Sequence, residues 1–190
     1  MANAPFNTEI ERSVELMKAH GVNFEPGLSD QEIEAVETRH QFQFPPDLRA
    51  FLQAALPCGD GFPPWRRPDD PGLLARLRWP EEGIAFDVEH NSLWQDNWGP
   101  RPKEISQAIE RAQRLVRQAP TLIPICSHRY LPSEPQLPGN PVFSVYQLDI
   151  VAYGRDLWDY LRNEFESPFS SSVPDPSSCR PIRYWADLAE

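Results

Sequence analysis

Proline is the residue that most restricts what this chain can fold into. The sequence has 22 prolines among 190 residues, roughly twice the usual share of about 5%. Because proline fixes φ and lacks a backbone N–H, it ends helices and is excluded from central strands. The sequence therefore predicts short elements joined by rigid loops, and its length allows one good hydrophobic core. We expect one domain over residues 1–166, and a serine- and proline-rich linker with a C-terminal segment over residues 167–190. Three apolar residues indicate that this segment docks back onto the body: Ile182, Trp185 and Leu188.

The charge of the chain is strongly negative. Lysine and arginine number 18 against 28 aspartates and glutamates, which gives a net charge of −10. Such a surface repels nucleic acid and anionic membranes and attracts a basic partner. The simpler interpretation is that the charge only keeps the protein soluble. We expect a protein partner, and neither nucleic acid nor a membrane.

The cysteines indicate a reducing compartment. Cys58, Cys126 and Cys179 are odd in number and widely spaced, which argues against a disulfide framework and a cysteine-rich zinc site. The opening residues lack the pattern of a signal peptide, and the longest apolar runs are too short to span a bilayer. A cytoplasmic location is the expectation.

Helices are predicted by capping residues and by helical spacing. Ser29 and Glu32 form the pattern of a capping box, which starts a helix. Another helix begins near Pro46, where a missing N–H costs nothing. Apolar residues at helical spacing indicate three further helices, near residues 6–20, 102–119 and 155–165.

Strands are predicted in the second half of the chain, after a loop over residues 58–80. Ile84, Phe86 and Val88 alternate with Ala85 and Asp87, which is typical of a half-buried strand. The segments "TLIPICSHRY" and "PVFSVYQLDIVAYG" each predict one more strand, and the proline-rich stretch between them predicts a stiff loop. This order of elements favours an α+β fold with helices on a mainly antiparallel sheet.

Three segments together resemble one known family. "GLSDQEIEAVETRHQFQFPPDLRAFL", "GIAFDVEHNSLWQDNWGPRP" and "NPVFSVYQLDIVAYGRDLWDYLRNEF" are similar, in order and spacing, to parts of the SUKH superfamily of Smi/Knr-like domains. The resemblance implies an α+β fold with a mixed sheet, and no enzymatic activity. Many bacterial members are immunity proteins that neutralise secreted toxins, often nucleases, and fungal members are scaffolds in cell-wall signalling. One departure is Gly59-Asp60-Gly61, where members often carry an Asn-Gly turn.

The segment "FDVEHNSLWQDNW" combines acidic and aromatic residues, which is a common composition for an interface anchor. Asp87 and Glu89, two apart on the predicted strand, would leave the same face of the sheet. The simpler interpretations are a wet strand face for the acids and a roof over the core for the tryptophans. We predict a partner-binding surface formed by six residues: Asp87, Glu89, His90, Trp94, Asp96 and Trp98.

Other polar residues give weaker signals for chemistry. Cys126 and His128 would share one face of a strand, but an interior cysteine behaves as a small hydrophobe. Arg129 is expected to pair with a buried carboxylate such as Asp149. The arginines of the long helix at a spacing of three predict a solvated helix end rather than a phosphate site: Arg111, Arg114 and Arg117.

The favoured function is a non-enzymatic binding domain that occludes a basic partner. The resemblance implies that it is an immunity protein or a relative of one, with a secreted toxin such as a nuclease as that partner. We expect no catalytic residue, no metal and no cofactor. One alternative is a scaffold in envelope or cell-wall regulation. Another is a small metal-dependent hydrolase, in which paired carboxylates beside histidines act: Asp87, Glu89, His90 and His128.

Overall fold

The computed structural model describes residues 6–147, 149–166 and 174–189. Its helices are α1 (Asn7–Ala19), α2 (Asp30–His40), α3 (Pro46–Ala54), α4 (Pro71–His90), α5 (Ile105–Gln118) and α6 (Leu157–Phe165). Its strands are β1 (Asn23–Pro26), β2 (Ala55–Cys58), β3 (Leu122–Cys126), β4 (Arg129–Pro132), β5 (Val142–Tyr146) and β6 (Asp149–Gly154). The described residues form an α+β fold, as predicted, and both sheets are wholly antiparallel: β1 pairs with β2, and β3 to β6 follow one another in sequence order.

Helices α2 and α3 begin where their capping and N-terminal residues predict. The Ser29 hydroxyl accepts a hydrogen bond from the Glu32 backbone N–H, and the Glu32 carboxylate accepts one from the Ser29 N–H at 2.7 Å. This capping box satisfies two of the donors that a helix start leaves unpaired. α3 starts at Pro46 and buries Leu48 and Phe51 in the core.

The prediction of a loop followed by a strand was wrong for residues 71–90, which form the single helix α4. Asp70 caps it, because its carboxylate accepts from the Gly72 N–H at 2.9 Å. The alternation of apolar residues predicted a strand, but it fits a helix equally well, because the buried residues Ile84 and Val88 are four residues apart. Pro80 lies inside the helix, against the usual preference of proline for helix ends.

Each of the two longer predicted strands is in fact a hairpin. β3 and β4 are joined at Ser127, and β5 and β6 at Gln147, and both residues adopt left-handed φ angles of 48° and 57°. The hairpins are joined by the proline-rich loop, in which the Asn140 side-chain amide donates to the carbonyls of Pro132 and Pro135. The loop prediction for this stretch is confirmed.

Two clusters of buried side chains form the interior. The first lies between α1, α2, α3, α6 and one side of the β3–β4 hairpin. The second lies between α4, α5, the larger sheet and the C-terminal segment, where Ile182, Trp185 and Leu188 are buried. The Trp185 indole donates to the Pro120 carbonyl at 2.7 Å. Part of the predicted linker, residues 167–173, lies outside the described residues. Within the described ranges, no helix combines the length and apolarity needed to cross a membrane.

Candidate functional site

Asp87 does not face solvent beside Glu89, as the predicted strand required. On a helix, residues two apart are separated by about 200°, so their side chains leave different sides. Asp87 is 1% exposed, and its Oδ1 accepts from the Asn91 side-chain amide at 2.6 Å. Its Oδ2 is buried and has no hydrogen-bond partner among the described residues. Asp87 therefore joins the end of α4 to the loop that follows, and its carboxylate is not available to a partner.

Glu89 and His90 do lie at the surface, at the end of α4. The His90 Nε2 is 3.5 Å from the Glu89 carboxylate. The imidazole ring packs on Phe86, with 4.4 Å between the ring centroids. An exposed pair of this kind contributes little to stability, so these groups remain available for contact with another molecule.

Trp94 and Trp98 belong to a cluster that holds the C-terminal segment of the same chain. Trp98 is 4% exposed, and its ring stacks parallel to Tyr184 at 6.0 Å. Trp94 packs edge-on against Trp98 at 5.3 Å, and its indole donates to the Gly99 carbonyl at 2.7 Å. Trp98 was predicted to contact a partner, and the structure buries it inside the fold instead. Aromatic anchors look alike in sequence whether their target is another protein or a distant part of the same chain.

Polar contacts support the same intramolecular docking. The Asn97 side-chain amide donates to the Asp187 carboxylate at 2.8 Å, beside Asp96, whose side chain is exposed at the start of a short 3-10 helix. The structure therefore separates the six residues of the predicted surface into three groups. Asp87 and Trp98 are interior, Trp94 is half-buried, and three residues are exposed: Glu89, His90 and Asp96.

The residues of the hydrolase hypothesis do not converge. Asp87 points into the fold, Glu89 and His90 lie at the surface of α4, and His128 lies in the turn between β3 and β4. Among the residues that the structure describes, no three histidine, cysteine, aspartate or glutamate side chains are arranged to hold a metal ion.

Cys126 and His128 do not share a strand face, because β3 ends at Cys126 with an irregular register and His128 lies in the turn. Burial raises the pKa of the Cys126 thiol, which keeps it protonated and weakly nucleophilic near neutral pH. Burial and the adjacent Arg129 lower the pKa of His128, so its imidazole is mostly neutral.

Arg129 does not pair with Asp149, which was the predicted partner. Its Nε is 3.6 Å from the Glu164 carboxylate, its Nη1 donates to the Ser144 hydroxyl at 2.9 Å, and its guanidinium lies 3.7 Å from the centre of the Tyr153 ring. The Tyr153 ring and the Glu164 carboxylate offset the cost of burying this charge. The arrangement is structural and links β4 to α6.

Two of the three arginines of α5, Arg114 and Arg117, face solvent and pair with acids, whereas Arg111 is half-buried. Arg114 lies 3.2 Å from Glu110, and Arg117 lies 2.6 Å from Glu81 of α4. The Arg117 pair connects the two helices near the end of α5, and the prediction of a solvated helix end holds for these side chains.

Exposed aromatic residues gather at a place that the sequence did not indicate. Trp79, Phe86 and Tyr146 are 40%, 43% and 58% exposed, and we call these three residues the aromatic face. Trp79 and Phe86 are seven residues apart, so both project from one side of α4. Tyr146 ends β5, and its ring centroid is 6.1 Å from that of Trp79. Large side chains of this type at a surface commonly mark an interaction site.

Gly83 explains how α4 and the β5–β6 hairpin come together there. It lies on the same side of α4, between Trp79 and Phe86. A Cβ atom at this position would be only 3.2 Å from the Cα of Gln147. The missing side chain therefore lets the turn approach the helix and brings Tyr146 beside Trp79. A glycine inside a helix usually costs about 1 kcal/mol relative to alanine, and here it permits this close packing.

A pocket of about 290 Å³ opens between Trp79 and Tyr146. The Trp79 indole is held by a 3.3 Å hydrogen bond to the Val145 carbonyl. The Tyr130 hydroxyl donates to the Arg76 carbonyl at 3.0 Å, and burial raises the pKa of this phenol far above its usual value, so it remains a donor. These contacts hold two side chains of the pocket wall, Trp79 and Tyr130, in place.

A larger, polar groove of about 820 Å³ lies between α2, the end of α5 and the loop after β4. Arg49 within it is held by two carboxylates, Asp30 at 3.1 Å and Glu37 at 3.7 Å. Glu34 and Glu134 also line the groove. The groove is therefore a negative concavity, in keeping with the net charge of the chain.

Comparisons of the chain with protein-family models, curated proteins and solved structures find no match. The resemblance to the SUKH superfamily therefore stays a prediction from the three quoted segments, and the function has to be inferred from the geometry described above.

The predicted surface leaves out Trp79, because the sequence predicts a loop over residues 58–80. A signal was present: Asp70 before Pro71 is a typical helix start, and Leu73 and Leu77 follow at helical spacing. With the helix extended to His90, the spacing of Trp79 and Phe86 would have placed them on one side. The contribution of Tyr146 is a tertiary contact, and no local pattern indicates it.

Proposed function

We propose that this chain is a non-enzymatic protein-binding domain whose aromatic face is the centre of the contact. The observation that carries the proposal is the exposure of Trp79, Phe86 and Tyr146 on adjoining elements. Tryptophan and tyrosine are the residues that most often dominate binding energy in interfaces. Trp79 is also fixed by its hydrogen bond to the backbone, so binding would lose less side-chain entropy there.

The net charge supports a basic partner. A net charge of −10 creates a long-range potential that speeds the encounter with a positively charged protein. The negative groove beside Glu34 and Glu134 adds to this potential. In our proposal the acids bring the partner to the surface, and the aromatic face holds it once water has been excluded.

The resemblance to the SUKH superfamily supports a specific biological role. We propose an immunity protein of the bacterial type, acting in the cytoplasm, that binds a basic secreted toxin such as a nuclease and covers it. Such a role needs only shape, charge and affinity.

The proposal is tested by producing this protein together with a secreted toxin encoded beside its gene. We expect growth of the toxin-producing cells to be restored, and a complex to be recovered by size-exclusion chromatography. Replacing Trp79, Phe86 and Tyr146 by alanine together should weaken the complex at least about 100-fold, since hot-spot residues each contribute tenfold or more.

Leu137→Ala is the matched control. Leu137 is also an exposed apolar residue, but it lies in the loop after β4, so its loss should leave affinity within about threefold. If the triple variant binds the toxin as tightly as the unmodified protein, the aromatic face is not the contact. If no neighbouring toxin is bound or neutralised, the immunity role is wrong.

A further inference from the structure

The pocket beside Trp79 has walls that suit one side chain of a partner. Its volume of about 290 Å³ is at the lower limit for pockets that enclose small molecules, about 300–1,000 Å³. The rings of Trp79, Tyr130 and Tyr146 line it, and rings arranged in this way favour an aromatic or large aliphatic group. The pocket is open at the surface beside Tyr146, so a side chain could enter it from a docked protein.

The charged side chain at the pocket, Arg76, has the opposite sign to the net charge of the whole chain. Arg76 and His128 line the pocket, and no carboxylate does. Arg76 donates from Nη1 to the Ser127 carbonyl at 3.0 Å, and it forms no ion pair within the described ranges. A carbonyl satisfies one donor of a guanidinium and leaves its charge without a counterion.

The neighbouring acids do not supply that counterion. Glu164 pairs with Arg129, and Glu164 and Asp149 both lie close enough to His128 to raise its pKa. Neither side chain lines the pocket. The geometry therefore leaves an aromatic pocket with a guanidinium at its edge that can accept a carboxylate.

We propose that this pocket receives an aromatic or large aliphatic side chain of the protein partner, next to an aspartate or glutamate of the same segment that pairs with Arg76. The inference rests on the proposed function, because it takes the partner to be a protein. It adds the local chemistry of the contact: the ring enters between Trp79 and Tyr146, and the carboxylate meets the guanidinium.

A basic partner and an acidic contact residue are compatible because they act at different distances. Long-range attraction depends on the net charges of the two proteins. Contact between one carboxylate and Arg76 occurs within a few ångströms, well inside the screening length of about 8 Å at physiological salt. The local pair would then fix the orientation of a partner that the overall field has attracted.

The experiment uses the full chain and three capped dipeptides, whose blocked termini carry no charge: Ac-Trp-Glu-NH2, Ac-Trp-Lys-NH2 and Ac-Ala-Glu-NH2. Binding is followed by two-dimensional 1H–15N NMR at low salt. The indole N–H signal of Trp79, assigned with Trp79→Leu, reports on the pocket, and the indole signal of Trp94 is the internal control. Signals of Ser127 and His128 report on the pocket rim.

We expect Ac-Trp-Glu-NH2 to shift the Trp79 and rim signals saturably and to leave the Trp94 signal in place. Ac-Trp-Lys-NH2 should bind about fivefold more weakly, as a partly exposed ion pair allows, and Ac-Ala-Glu-NH2 should bind weakest because it lacks the ring. Arg76→Met preserves much of the apolar stem, and it should bring the two tryptophan peptides to equal affinity. The spectrum of this variant also shows whether the fold is intact. If the fold is lost, Arg76→Lys replaces this variant. Arg76→Lys should keep part of the preference for the glutamate peptide over the lysine peptide.

Equal binding of the glutamate and lysine peptides, or shifts spread over signals far from Trp79, would overturn the pocket assignment. Those results leave toxin neutralisation and the effect of the triple variant untouched. Conversely, if the protein fails to neutralise a toxin but binds Ac-Trp-Glu-NH2 preferentially at Trp79, the pocket assignment is supported and the immunity role is wrong.

Discussion

Replacement of Trp98 by alanine should destabilise the protein by about 3–5 kcal/mol. Trp98 is 4% exposed, so almost the whole side chain leaves a closed environment. A tryptophan buries about 150–250 Å², which at about 25 cal/mol per Å² corresponds to roughly 4–6 kcal/mol. That figure is an upper estimate because unfolded chains already bury part of this area, and measured losses for tryptophan in cores are about 3–5 kcal/mol.

Urea unfolding followed by circular dichroism measures this loss as a lower midpoint at an unchanged slope. Trp79→Ala is the matched control, because it removes the same side chain from a site that is 40% exposed. No closed cavity can form at that site, so we expect Trp79→Ala to lower the free energy of unfolding by about half as much as Trp98→Ala does. A loss below about 1 kcal/mol for Trp98→Ala would refute the conclusion that Trp98 anchors the C-terminal segment. Such a result would also return Trp98 to the set of residues that could contact a partner.

Two further predictions concern stability. Tyr184→Phe should raise the free energy of unfolding by about 1 kcal/mol, because the Tyr184 hydroxyl is buried with no hydrogen-bond partner among the described residues; a loss measured in the same urea assay would contradict this. Asp159 has a pKa below its ordinary value, chiefly because Arg155 donates hydrogen bonds to its carboxylate, at 2.7 Å from Nη2. The Asp159 carboxylate therefore stabilises the folded state fully at pH values above the pKa of an unfolded aspartate, about 3.9. This stabilisation is lost as the pH falls through the lower pKa of the folded state. Asp159→Asn should cost about 1.5–3 kcal/mol at pH 7, and unfolding curves of the two proteins should approach each other below pH 4; a constant difference down to pH 2 would contradict the assignment.

The parts of the fold that the sequence predicts are those determined by neighbouring residues. Ser29 and Glu32 act on each other within one turn, so their capping box is visible in the sequence and occurs in the structure. The span of α4 was not predictable in the same way. Ile84 and Val88 satisfy two periodicities, and Pro80 argues against a helix that tertiary packing nevertheless maintains.

The site was harder to predict because burial depends on contacts between distant segments. Trp94 and Trp98 have the composition of an interface, but Tyr184, more than eighty residues later, covers Trp98. Trp79 lay in a stretch that was predicted to be a loop. Its partner in the pocket, Tyr146, lies at the end of β5, in a distant part of the sequence. Residue types thus indicated that aromatic anchors exist, and only the three-dimensional structure shows which of them remain available.

The two aromatic groups therefore perform different physical tasks with the same residue types. The group around Trp98 is already covered by the chain itself, and its burial contributes to folding. The aromatic face is held by contacts that do not cover it: the Trp79 indole bonds to the Val145 carbonyl, and Gly83 lets the hairpin turn approach α4. A surface that is rigid and apolar before binding gains from desolvation and loses little entropy when a partner arrives. In our proposal, the fixed aromatic face, the adjacent guanidinium and the negative overall charge together form a recognition surface, in which Arg76 provides the specificity and Trp79 the affinity.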